Sequence, residues 1–102
     1  MTSSEAKTLA ALATLRESID EVDRGIIDLM ARRGELACSI SEHKASLGRP
    51  VEDPARETKA IADRCRWAAE RSVDPHFIRL FFESVLLWSR TLQTKARLDK
   101  QS

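Results

Sequence analysis

An arginine interrupts the longest apolar pattern in the chain. From Leu12 to Leu47, apolar residues recur at steps of three and four, the spacing of a coiled-coil seam, and Arg33 occupies one of these seam positions. A guanidinium stays charged at working pH, and arginine is rarely buried without a partner. Arg33 therefore indicates an anion close by, unless its side chain reaches solvent or pairs with a structural carboxylate.

Lys44 strengthens the case for an anion site. It follows Arg33 by eleven residues, which on a helix places the two side chains within about 20° of each other and about 16 Å apart. Arg16 stands about 100° around the same helix, so in a dimer it would serve the partner's pocket more easily than its own. Either cation alone is most simply a solvated surface residue.

Further polar candidates follow in the other two helices. Asp53 is a good N-cap, and Glu57 lies in the first turns of a helix, where the dipole favours a carboxylate. Arg56, between them, is most simply an ion-pair partner. Ser89 and Gln93 end an apolar row of the third helix, so they predict either an inward polar patch or residues that bond each other or face water.

Recognisable catalytic motifs are missing from the sequence. There is no nucleophile elbow, phosphate loop or paired-acid signature, and His43 and His76 have no partner at a catalytic spacing. Cys38 and Cys65 form no C-x-x-C pair and are predicted to be free thiols. We expect no metal, and an enzyme built on this chain would lack an obvious nucleophile or general base.

Composition narrows the class of protein. The 102 residues predict one domain, and 17 Lys and Arg balance 16 Asp and Glu, so no bulk charge favours nucleic acid or an anionic membrane. The N-terminal stretch lacks the features of a signal peptide, and the apolar runs fall short of the roughly 20 residues that span a bilayer. A cytoplasmic protein is predicted.

The fold predicted from these patterns is all-α. Asp53 and Asp74 each precede a proline, the order typical of a helix start, and Gly48 ends the first helix. Three helices are expected, over residues 8–47, 54–71 and 75–98, with disordered tails at 1–7 and 99–102. The first helix would be about 60 Å long, too long for a compact monomer with a radius of gyration of about 13 Å. Its apolar seam predicts an intertwined helical-bundle homodimer.

From about Leu12 to Gln93 the chain resembles the all-helical class of chorismate mutases. The resemblance rests on four motifs in order: Leu15-Arg16-Glu17-Ser18-Ile19-Asp20-Glu21-Val22-Asp23, then Ala31-Arg32-Arg33 with Lys44, then Arg49-Pro50-Val51-Glu52-Asp53-Pro54-Ala55-Arg56-Glu57, then Ser89 with Gln93. It implies a single domain that rearranges chorismate to prephenate in an intertwined dimer, without a cofactor.

The resemblance also implies a role for each site residue. Arg33 and the partner subunit's Arg16 would hold the two substrate carboxylates, and Ser89 would help hold the one on the ring. Lys44 and Gln93 would donate to the ether oxygen. Glu57 with Asp53 would bind the ring hydroxyl, and Arg56 would support this acidic pair.

Alternatives remain open. The stretch 64–70 and Trp88 look more like isochorismate pyruvate lyases, which generally lack a carboxylate at the position of Glu57, so its presence favours the mutase. A relative acting on 4-amino-4-deoxychorismate would bring an amine where chorismate has its hydroxyl. A non-catalytic dimerisation or regulatory module is the rival from a different class. Arg90 adds a charge without an evident role.

Overall fold

The structure of the protein is a computed structural model, and it describes residues 1–101. Three helices make up its regular structure: α1 (Ser3–Ser46), α2 (Pro54–Glu70) and α3 (Pro75–Gln101). No strand occurs among these residues, which confirms the all-α prediction. Within the same range, no helix combines the length and the apolar character needed to cross a membrane.

The ends of the helices follow the capping rules. The Asp53 Oδ1 accepts a hydrogen bond from the Arg56 backbone N–H at 3.2 Å, and the Asp74 Oδ1 accepts one from the His76 N–H at 2.9 Å. Gly48, just beyond α1, has a φ of 68°, a left-handed conformation that glycine adopts without steric cost. The predicted start residues of α2 and α3 are confirmed.

The outer ends of α1 and α3 extend further than the sequence predicts. Disordered tails were expected at 1–7 and 99–102, but α1 already begins at Ser3 and α3 continues to Gln101. At the N-terminus the reason is a cap, because the Thr2 hydroxyl accepts the Glu5 backbone N–H at 3.1 Å. Ser102 lies outside the described residues.

The chain divides into two compact units, and the first is Met1–Arg33. Almost all of it is the N-terminal part of α1. Its seam is open in the single chain, since the side chains of Leu15, Ile19 and Val22 are 62%, 60% and 62% exposed. An apolar stripe of this kind is unfavourable in water and marks a surface that another chain can cover.

The second unit begins at Gly34 and contains the rest of the structure. Its core between α2 and α3 consists of small and branched apolar side chains. The buried hydrophobic residues of this unit are Ala37 of α1, Ala60, Ile61 and Ala68 of α2, and Val85 of α3.

The last turns of α1 approach α3 closely through small residues. Gly34, Ala37 and Ser41 are all buried on one side of the helix. A Cβ added at Gly34 would lie 3.1 Å from the Trp88 Cη2 and 3.3 Å from the Leu92 Cδ1, tighter than ordinary contact. The absence of a side chain at Gly34 therefore allows the tryptophan ring to lie against the helix backbone.

Candidate functional site

Gln93 is the polar residue whose burial most requires an explanation. It lies in α3 with only 7% of its surface exposed, and its backbone oxygen accepts a 3.1 Å hydrogen bond from the buried Ser41 hydroxyl. Its side-chain Oε1 is buried and has no hydrogen-bond partner among the described residues. A buried amide group without a partner costs about 1–3 kcal/mol, so it is a natural place for a ligand atom.

Ser89 lies one helical turn before Gln93 on α3. The spacing of four residues places both side chains on one face of the helix, and Ser89 is also buried, at 6% exposure. The apolar row of α3 therefore ends in an inward polar patch, as one of the two alternatives from the sequence predicted.

Lys44 lies half-buried in the last turn of α1. Its Nζ donates to the Val51 backbone oxygen at 2.9 Å, which connects the helix to the loop before α2. The same loop is held to α3 by the Arg97 Nη2, which donates to the Arg49 oxygen at 2.5 Å. An ammonium group has three N–H donors, so Lys44 can hold the loop and still donate to a bound anion.

The two acidic candidates have different surroundings. Asp53 is exposed and uses its Oδ1 as the cap of α2, which leaves the other carboxylate oxygen able to accept. Glu57, one turn later, forms an ion pair with Arg90 of α3, in which the two side chains are 24% and 32% exposed. Glu57 is thus held from the neighbouring helix.

The expectation that Arg56 pairs with the acidic residues is wrong for its side chain. Among the described residues, the ion-pair partner of Glu57 is Arg90, and only the backbone N–H of Arg56 bonds to Asp53. Consecutive helical residues point about 100° apart, so an arginine next to Glu57 faces another direction. Arg56 instead lies near Arg64, whose pKa is lowered first by burial and then by the Arg56 charge.

The remaining two candidates belong to the first unit. Arg16 is exposed on α1, and Arg33 is half-buried at the last position of that unit. The five other predicted site residues, Lys44, Asp53, Glu57, Ser89 and Gln93, all belong to the second unit.

Sequence reasoning did not predict the positioning roles of two residues, Ser41 and Arg90. Ser41 fixes the backbone of Gln93, and the small residues at 34, 37 and 41 are the signal that could have predicted a close helix crossing there. Arg90 holds Glu57, but the two are 33 residues apart in sequence. No local sequence pattern predicts the ion pair between Glu57 and Arg90.

These side chains are suited to binding and orienting an oxygen-rich anion. The second unit offers an ammonium, a buried amide, a buried hydroxyl and a carboxylate fixed by an arginine. Among residues 1–101, no group of three His, Cys, Asp or Glu side chains is arranged to hold a metal ion. The donors can stabilise charge that develops on a ligand oxygen.

Comparisons with known proteins agree with this chemistry. The family model described as chorismate mutase type II matches residues 15–94. The chain is 40% identical over 92 residues to a chorismate mutase of Methanocaldococcus jannaschii, covering 89% of this chain and 92% of that protein. It is 32% identical to an isochorismate pyruvate lyase of Pseudomonas aeruginosa, covering 82% of each.

The chain is also similar to a solved structure and to part of a longer protein. A conserved hypothetical protein from Pyrococcus furiosus superposes with a TM-score of 0.63 at 35% identity, covering 81% of this chain and 95% of that one. The chain is also 36% identical to the T-protein of Enterobacter agglomerans, but it spans only 22% of that protein's length. The family match over most of the sequence decides the assignment: this chain belongs to the chorismate mutase type II family.

Proposed function

We propose that the chain converts chorismate to prephenate by a Claisen rearrangement, as a homodimer. The observation that carries the proposal, beside family membership, is the buried Gln93 amide whose Oε1 has no partner among the described residues. Turning the amide exchanges its oxygen and nitrogen, so the same position can present an N–H donor to a ligand. A buried side-chain amide whose hydrogen-bonding capacity is unfilled among the described residues is suited to binding an oxygen atom of a ligand.

The chemistry matches the kind of residues available. The rearrangement breaks one C–O bond and forms one C–C bond within a single molecule, so it needs no nucleophile, proton transfer or cofactor. The protein has to hold a flexible dianion in the conformer that brings the reacting carbons together, which is an entropic contribution. It also has to stabilise the negative charge that grows on the ether oxygen as the C–O bond breaks.

In the proposed site, Lys44 and Gln93 donate to the ether oxygen. Arg33 binds one substrate carboxylate, because a guanidinium can form two parallel hydrogen bonds with it, and the partner subunit's Arg16 binds the other. Ser89 helps to hold the ring carboxylate, and Glu57 with the free oxygen of Asp53 accepts from the ring hydroxyl. These roles follow from the family resemblance, and the burial of Ser89 and Gln93 supports them.

The homodimer is proposed because the α1 seam needs a cover. Apolar side chains of α1 are exposed in each unit, for example Ile26 at 45% in the first and Leu36 at 53% in the second. A second copy of α1 carries the same apolar spacing and can bury this stripe along its length. Such an arrangement would also bring Arg16 of one chain to the site of the other.

Mixing two inactive variants tests the shared site. Arg16→Ala and Lys44→Ala subunits, refolded together, should recover up to about a quarter of wild-type activity, because half of the dimers are mixed and one of their two sites is intact. The measurement is prephenate formation before and after mixing. The matched control is Arg33→Ala mixed with Lys44→Ala, in which both defects fall in residues of the same chain's site, so no activity should return. Equal activity in both mixtures would contradict the role of Arg16 across the interface.

A second candidate function is the isochorismate pyruvate lyase reaction. The 32% identity to the Pseudomonas aeruginosa lyase favours it. Against it, the lyase-like residues Arg64 and Trp67 are engaged with each other, since the Arg64 Cζ lies 5.2 Å from the Trp67 ring centroid and 5.2 Å from that of Phe82. A packing role explains them, and Glu57 favours the mutase.

A further inference from the structure

The Arg90–Glu57 ion pair joins α3 to α2 next to the proposed site. Arg90 directly follows the buried Ser89, and its Nη1 donates to the Glu57 Oε1. The pair borders a groove of about 320 Å³ that also contains Arg79, Glu83 and Leu86. Arg90, whose charge has no evident role in the sequence, therefore pairs with the Glu57 carboxylate that is proposed to bind the ring hydroxyl of the substrate.

Packing alone gives little reason for this pair. Apolar residues of both helices, including Ile61 and Val85, already form the contact between α2 and α3. Both partners are partly exposed, at 24% and 32%, and exposed ion pairs generally contribute little to stability. What the pair does change is the net charge presented by Glu57, which Arg90 brings to zero.

We propose that Arg90 is a specificity-determining residue that makes this site favour a ring hydroxyl over a protonated ring amine. The inference rests on the proposed function and deepens it. A carboxylate paired with arginine keeps lone pairs for a neutral O–H donor. An ammonium at the same position would meet the Arg90 charge beside the carboxylate, and like charges within a few ångströms disfavour each other.

Without Arg90, the site should favour a protonated ring amine over a ring hydroxyl. An unpaired Glu57 carboxylate attracts an ammonium more strongly than a hydroxyl, because the ion pair adds Coulomb attraction to the hydrogen bond. Without Glu57, the unpaired Arg90 should repel the ammonium and leave the hydroxyl substrate favoured. The two substitutions should therefore shift selectivity in opposite directions.

The test compares kcat/KM for chorismate with kcat/KM for 4-amino-4-deoxychorismate. Arg90→Gln should shift the ratio toward the amine by about tenfold or more, and Arg90→Lys, which keeps the charge, should stay near wild type. Glu57→Gln should shift the ratio toward chorismate. Lys95→Gln is the matched control, because it removes an exposed cation from the same helix and should leave the ratio unchanged.

A ratio of the two substrates is insensitive to a merely structural defect, since a loosened site loses activity on both. If Arg90→Gln is too unstable to assay, Arg90→Met, which also removes the charge, decides the question, because Glu57→Gln shifts the ratio toward chorismate with or without a role for Arg90. An unchanged ratio in the variant assayed, while wild-type protein converts chorismate, overturns the role of Arg90. Wild-type protein that does not convert chorismate overturns the proposed function itself, which is a different result.

Discussion

Replacing Lys44 with alanine should lower turnover of chorismate by about 10²–10³-fold, because a fixed donor to the ether oxygen acts mainly in the transition state. The Lys44 ammonium is half-buried, and one donor is already oriented by its 2.9 Å hydrogen bond to the Val51 oxygen. Little reorganisation is then needed when charge develops. Steady-state kinetics should show a loss in both kcat and kcat/KM, the pattern expected when an interaction is made chiefly in the transition state.

The control for this variant has to separate chemistry from folding. Loss of the hydrogen bond to Val51 should cost about 1 kcal/mol of stability, which thermal unfolding measures independently of activity. Lys59→Ala removes an exposed lysine of α2 that pairs with Asp63, and it should keep wild-type turnover. A folded Lys44→Ala protein with activity within about tenfold of wild type would remove Lys44 from the mechanism.

The second large effect is expected at Gln93. With glutamate there, the side chain can donate to the ether oxygen only when its carboxyl group is protonated. At this site, which is only 7% exposed, burial disfavours the charged form of the carboxyl, and the Lys44 ammonium proposed to donate to the same oxygen favours it. Activity of Gln93→Glu should rise as pH falls through the pKa of this carboxyl, and at neutral pH, where the ionised form cannot donate, it should lie about 10²–10³-fold below wild type.

A pH profile of kcat/KM from about pH 4 to about pH 8 checks this expectation, because it spans the ordinary glutamate pKa and the range above it. Wild type and Gln93→Leu are measured beside it, since neither has a titrating group at this position. A flat profile for Gln93→Glu relative to wild type would mean that the side chain does not donate to the ether oxygen.

Local sequence signals predict the helices well because their causes are local. The aspartates that cap α2 and α3 bond to backbone groups two or three residues away, so the Asp-Pro order alone identifies both starts. The tails were harder to predict from sequence. A single cap at Thr2 extends α1 to Ser3, and a few polar residues at a chain end give weak signals either way.

The candidate site is predictable only in part. Family motifs select its residues, and helical spacing places Ser89 and Gln93 on one face of α3, but only the structure decides between the two alternatives and shows that this face is buried. Motifs and helical spacing do not predict which side chains of different helices contact each other. The pairing of Glu57 with Arg90, where Arg56 was expected to support the acidic residues, depends on how α2 and α3 pack, and sequence separation hides it.

The most direct test of the central proposal is incubation of the purified protein with chorismate, isochorismate and 4-amino-4-deoxychorismate separately, with substrate loss and product identity followed by mass spectrometry. We expect prephenate from chorismate at a rate far above the uncatalysed background. Salicylate with pyruvate from isochorismate, in place of that result, would move the function to the lyase. Failure to consume any of the three substrates would contradict the catalytic proposal and leave a binding or regulatory role for the site.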